Sequence, residues 1–157
     1  MKNNNKLGIN TTCVHVGEVK DEQFKGAVSP IYTSTSYAFD KKIAALEKTE
    51  DALIFGSGMA AISAALFAFL QKGDHVVIQQ VIYGGTYNFI VSEFDKFGIE
   101  YSFTESDKIE DFEALIKQNT KVLYIETPSN PLLGITDMKA IAALAKENDI
   151  ITMIDNT

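Results

Sequence analysis

Four short segments carry residue types that could do chemistry. Gly56-Ser57-Gly58-Met59-Ala60-Ala61 sets two glycines before an alanine-rich run, which would leave the first amides of a helix free to face an anion. A phosphate cradle is one reading of that turn; a plain tight turn into a buried helix is the other. The same letters spell G-x-G-x-x-A, so a dinucleotide fold competes as well. That fold wants an acidic residue about 20 positions on to hold a ribose hydroxyl, and Gln79 and Gln80 stand there instead. Tyr83-Gly84-Gly85-Thr86 offers a ring to a planar ligand and a phenol for proton transfer, or simply a half-exposed loop tyrosine. Glu126-Thr127-Pro128-Ser129-Asn130-Pro131 packs polar groups between two prolines that fix the backbone; Glu126 and Asn130 could face a cleft, or the run could be a capping loop. Asp155 follows the apolar run 150–154, where a carboxylate can hold a protonated ring nitrogen or merely cap a helix.

The elements able to hold these segments together follow from the alternation of the chain. Lys41–Lys48 and Met59–Gln71 read as helices and His75–Gln79 as a short buried strand. A helix over Thr86–Lys96 then leads to strand Glu100–Phe103, helix Ile109–Lys117 to strand Lys121–Ile125, and helix Met138–Lys146 to strand Ile150–Ile154. Strands separated by helices imply an α/β fold with a mostly parallel sheet covered by helices. Ligands in such a fold bind at the carboxyl ends of the strands, where three of the four segments stand. Residues 1–40, rich in Asn, Thr, Ser and Gly and broken at Ser29-Pro30, read as an arm; residues 41–157 read as the α/β unit.

Composition excludes several functions. The 157 residues carry a net charge of −7, which disfavours nucleic acid or an anionic membrane as partner. Every basic residue is a lysine, so an anion must be held without a bidentate guanidinium clamp. The longest uncharged apolar stretch, Met59–Leu70, falls short of the roughly 20 residues that span a bilayer. Cys13 is the single cysteine and has no internal disulfide partner; His15 and His75 have no metal-ligand spacing. With no secretory pattern at the amino end, the expected location is the cytoplasm.

In order, the four segments strongly resemble the Cys/Met-metabolism family of pyridoxal-phosphate enzymes: cystathionine γ-synthase, cystathionine β- and γ-lyases, methionine γ-lyase and the O-acylhomoserine sulfhydrylases. Thr12–His15 and Ser29-Pro30-Ile31-Tyr32 extend the resemblance nearly end to end. It implies the large domain of fold-type I pyridoxal-phosphate enzymes, with Ser57, Gly58 and Met59 at the cofactor phosphate. It further implies Tyr83 stacked on the pyridine ring and moving substrate protons, and Asp155 on the pyridine nitrogen. Asn130 would lie by the phenolic oxygen, with Glu126 and Thr157 in support; Tyr83 and Asp155 would be catalytic. The implied chemistry is β- or γ-elimination or γ-replacement on sulfur amino acids or O-acylhomoserine. The implied assembly is a homo-oligomer, a dimer or a tetramer of dimers, in which the arm of residues 1–40 contacts a neighbour.

The sequence departs from the family at two places. No lysine here matches the family's Schiff-base lysine, which lies downstream of the aspartate block, so the chain reads as the N-terminal half only. Tyr37-Ala38-Phe39-Asp40 also runs straight into Lys41-Lys42-Ile43, where the family carries a Tyr-x-Arg and an Asn-Pro-Thr-like motif. Gly85 stands where many methionine γ-lyases carry a cysteine, which weakens that assignment. A non-catalytic binding or interaction module of the same fold is the alternative, and a nucleotide-binding α/β domain a more distant one.

Overall fold

The computed structural model describes residues 36–130 and 133–157; Cys13, His15 and the Thr12–His15 and Ser29–Tyr32 segments lie outside them. The chain divides into two units at Gly56–Ser57. In the first, helix α1 spans Ser36–Glu47, beginning inside the segment read as an irregular arm and passing unbroken through Asp40–Lys41. Lys48 turns left-handed, with φ of 57°, and the Thr49 amide closes the helix on Ala44 O at 2.9 Å. Residues 51–55 form no strand.

The second unit runs α2 (Gly58–Phe69), β1 (His75–Ile78), α3 (Gly84–Phe97), β2 (Glu100–Phe103), α4 (Ile109–Leu115), β3 (Thr120–Glu126), α5 (Met138–Glu147) and β4 (Ile151–Asp155). All strand pairs are parallel, in the order β2-β1-β3-β4. The period-2 alternation of side chains splits the core cleanly. Val76, Ile78, Val122 and Tyr124 face a cluster with Leu66 and Leu70 from the α2 end and Ile90 and Phe94 of α3. Val77, Leu123 and Ile125 face Phe112 of α4 and Ile141, Leu144 and Ala145 of α5. Buried on both faces, β1 and β3 can be continuous apolar runs, as strands of covered parallel sheets are.

The order of the strands decides where a ligand can sit. From β1 the chain goes outward to β2 through α3, then returns across β1 to β3 through α4. One hand of crossover puts α3 on one face and α4 and α5 on the other. The connections leaving β1 and β3 therefore diverge and open a crevice between the carboxyl ends of these two strands.

Local chemistry fixes the helix ends. Asp137 caps α5, accepting from the Lys139 and Ala140 amides at 3.1 and 3.0 Å. Gly98 ends α3 with φ of 67°, a left-handed conformation that glycine adopts without strain; a Cβ there would also press on the Lys72 side chain. Among the described residues no helix is long and apolar enough to cross a membrane, and no cluster of metal-ligating side chains forms.

His75, expected to be structural, is fully buried at the start of β1. It ties the two neighbouring strands, with Nδ1 2.8 Å from Thr120 Oγ1 and Nε2 2.9 Å from Ser102 Oγ. Burial, and then the charge of Lys117, lower its pKa to about 4, against the opposing pull of Glu100. A folded-state pKa below the unfolded value of about 6.5 means that the unfolded chain takes up the proton first. The contribution of His75 is then complete above pH 6.5 and is lost as pH falls from there towards 4. At 1.36 kcal/mol per pKa unit the loss is on the order of 3 kcal/mol. Urea midpoints measured from pH 7.5 to 4 should fall more steeply for the wild type than for His75→Gln; parallel curves would refute the assignment.

Candidate cofactor site

Helix α2 starts at Gly58 because Ser57, in extended conformation, accepts from the Ala60 amide through Oγ at 3.1 Å. The Ala61 amide bonds Ser57 O at 3.1 Å. The amides of Gly58 and Met59, in the first turn, have no intrahelical acceptor. They add to the positive end of the helix dipole, and the space over Gly58 is open.

A cavity of about 360 Å³ adjoins this helix end. It is lined by Gly58, Met59 and Ile62 of α2, by Tyr83, by Glu126 at the end of β3 with Pro128 and Asn130 after it, and by Asp155 at the end of β4 with Thr157 after it. Seven of the eight residues expected at a cofactor are thus on its walls; the eighth, Ser57, holds the helix end instead. Ile62 and Pro128 had no signal in the sequence beyond their neighbours.

Tyr83 ends the loop from β1 and precedes α3. Its ring, 47% exposed, folds back over the helix start, where a Cβ on Gly85 would overlap it. Glycine at 85 is thus what lets the ring lie there. Glu126, at the end of β3, is 5% exposed. It accepts from the Tyr83 amide through Oε2 at 2.6 Å and from the Asn130 amide through Oε1 at 2.8 Å. Each of its oxygens is met by a backbone donor, as a buried carboxylate requires, and it ties the Tyr83 loop to the Asn130 loop.

Asp155 stands beside Glu126, in register across β3 and β4. Its Oδ1 accepts from the Thr157 amide at 3.1 Å and from the Thr157 hydroxyl. The Tyr124 hydroxyl donates to Oδ2 at 3.4 Å, a long bond that leaves this oxygen able to accept from a ligand. Burial, and then the nearby Asp155 carboxylate, push the Tyr124 phenol well above its ordinary pKa. Tyr124 therefore stays protonated and acts as a donor to Asp155. Sequence spacing had no means of finding Tyr124, which lies 31 residues from its partner.

The groups present suit an anion at the α2 terminus, a planar ring against Tyr83 and a cationic ring nitrogen at Asp155. That is the donor set of a pyridoxal phosphate site. A nicotinamide reading lacks its acid, since Gln79 is fully buried with its side chain turned to protein groups.

Fold and cavity together define a fold-type I pyridoxal-phosphate architecture. The sequence profile of the Cys/Met metabolism PLP-dependent enzymes matches residues 38–157, and the chain belongs to that family. Its relatives include cystathionine β-lyase MetC of Bacillus subtilis, 49% identical over 125 residues that cover 80% of this chain and 32% of that one. Cystathionine γ-lyase of the same organism is 38% identical, over 94% of this chain and 44% of its own length. L-methionine γ-lyase of Fusobacterium nucleatum is 33% identical over 183 aligned positions. That is more than this chain has residues, so the relative carries residues with no counterpart here. Among solved structures, metB of Corynebacterium glutamicum superposes with a TM-score of 0.86 at 34% identity, over 98% of this chain and 46% of that one. Cystathionine γ-lyase of Lactobacillus plantarum, complexed with L-serine, superposes with a TM-score of 0.85 at 31% identity. The chain spans between about a third and a half of the length of these relatives.

Proposed function

We propose that this chain supplies the phosphate- and ring-binding half of a pyridoxal-phosphate-dependent trans-sulfuration enzyme that cleaves a carbon–sulfur bond, with cystathionine as the leading substrate. The observation that carries the reading is one cavity edged by the free α2 amides, the Tyr83 ring and the Asp155 carboxylate. Similarity to cystathionine β-lyase MetC supports cystathionine, and Gly85 speaks against the methionine-specific variant.

The Gly58 and Met59 amides, with Ser57 fixing the helix start, would hold the phosphate. Asp155 Oδ2 would pair with the pyridine nitrogen and keep it protonated, while Tyr124 and Thr157 hold the carboxylate in place. Asn130 would lie by the phenolic oxygen. When bound, the cofactor supplies an electron sink for negative charge at the substrate α-carbon. The Tyr83 phenol, on a half-exposed residue of the cavity lining, would hold or move a proton on the substrate side. The reading requires a lysine amine, and among the described residues no lysine lines the cavity.

In the same reading the residues before α1 are an arm that contacts a neighbouring subunit of a cytoplasmic homo-oligomer, and the chain from α1 onward is the first part of the cofactor-binding domain. Family resemblance supports both points.

The test is product analysis of the full-length protein with pyridoxal phosphate and cystathionine, methionine or O-acylhomoserine. Pyruvate, ammonia and homocysteine from cystathionine are the expected products of β-elimination. 2-Oxobutanoate with cysteine would instead assign γ-elimination, and a replacement product from O-acylhomoserine with a thiol would assign transferase chemistry. Cofactor binding with no turnover of any of the three would favour the non-catalytic module.

A further inference from the structure

Gln79 lies just past the end of β1, is fully buried and does not itself line the cavity. Its Oε1 accepts from the Glu126 amide at 3.2 Å and from the Thr136 hydroxyl at 3.0 Å. Its Nε2 donates to Val81 O at 3.3 Å, and its own amide bonds Tyr124 O at 2.9 Å. The orientation of the carboxamide is forced: a backbone N–H lies on one side and a carbonyl on the other, so only oxygen towards Glu126 and nitrogen towards Val81 satisfies both. One side chain thereby joins the loop that ends in Tyr83, the end of β3 that carries Glu126, and the segment before α5. Thr136 is drawn in twice, since its amide also bonds Thr127 Oγ1 at 3.2 Å.

We infer that Gln79 is a positioning residue for the site: it fixes Glu126, and through the two amides that Glu126 holds, it sets the Tyr83 ring and Asn130 relative to each other. This inference rests on the proposed function for its meaning in catalysis, though not for the hydrogen bonds themselves. On its β4 side Glu126 is held by the strand register with Asp155. On its β1 side, where the strand has ended at Ile78, the Gln79 oxygen takes the Glu126 amide in place of a backbone acceptor. The Thr136 hydroxyl donates to the same Gln79 oxygen, so the carboxamide is bonded to two donors and one acceptor. Buried polar groups bonded at every atom rigidify what they join. A displacement of about 1 Å in a group facing the substrate can cost about 10²-fold in rate.

The test uses the full-length holoenzyme and Gln79→Leu, which keeps the approximate size and removes all three side-chain bonds. Amide hydrogen exchange of peptides covering residues 80–87 and 126–130 should rise at least about tenfold in Gln79→Leu, while peptides of β2 and α4 keep the wild-type rate. kcat per active site, with sites counted by bound cofactor, should fall by about tenfold or more with KM within about twofold; that count separates the effect from a loss of folded protein, which lowers the apparent kcat by lowering the number of sites. Thr136→Val removes one donor and leaves Gln79 in place; it should raise exchange in the same two peptides to a smaller degree. Wild-type exchange and wild-type kcat in Gln79→Leu would overturn the inference. If Gln79→Leu does not fold, wild-type exchange in Thr136→Val overturns it equally. A wild-type protein that cleaves no carbon–sulfur bond would sink the proposed function, while the exchange comparison would still decide for or against Gln79.

Discussion

Replacing Asp155 with asparagine is expected to lower kcat/KM by about 10²- to 10³-fold while leaving the protein folded. Asp155 is only partly buried and lines the cavity; with Oδ1 engaged by Thr157, Oδ2 is the oxygen that the proposed function sets against a ring nitrogen. An amide there presents either a neutral acceptor or a donor, and neither holds a proton on that nitrogen as a carboxylate does. Breaking a desolvated charge pair by removing one partner costs about 3–5 kcal/mol, and each 1.36 kcal/mol of transition-state stabilisation is a factor of ten. The range given takes the lower part of that span because the site opens to water. Steady-state kinetics on cystathionine, with melting curves of both proteins, would check it. Wild-type kcat/KM in a folded Asp155→Asn would remove Asp155 from the mechanism.

The largest stability effect is expected at Phe94. The residue is fully buried on α3, with ring centroids 6.1 Å from Phe67, 5.8 Å from Phe89 and 6.2 Å from Tyr101. It joins α2, α3 and β2 on one face of the sheet. Phe94→Ala would leave a cavity that these rings cannot fill without losing contact with one another. The expected cost is about 3–5 kcal/mol, read as a lower urea midpoint at unchanged slope. Phe97, on the same helix but 53% exposed, should lose much less on the same change. Equal losses at the two positions would show that the ring cluster does not act as a packed core.

The period of the hydrophobic residues made the parallel sheet and all four of its strands legible, and the turn chemistry marked three of the four cavity-facing segments. Boundaries were missed where polar side chains are hidden. Thr120 and Glu126 belong to β3 yet fall outside the strand Lys121–Ile125 read from the sequence, because their partners lie elsewhere in the chain. Thr120 meets His75, 45 residues away, and Glu126 meets the Tyr83 amide, 43 residues away. The start of α1 at Ser36 was missed because the segment before it is rich in Ser and Thr, which hid the helical run of Tyr37, Ala38 and Phe39. Gln79 and Tyr124 had no local signature at all. The one looked like the last residue of a strand and the other like an ordinary core aromatic, and only the folded register sets them against Glu126 and Asp155.

If the cavity between the α2 terminus and Asp155 holds pyridoxal phosphate, absorbance titration of the full-length protein with that cofactor will show it, repeated for Asp155→Ala and in the presence of excess inorganic phosphate. Binding should be saturable in the wild type, weakened by about tenfold or more in the variant and reduced by competing phosphate. Absence of saturable binding, or binding indifferent to both the variant and the phosphate, would contradict that assignment.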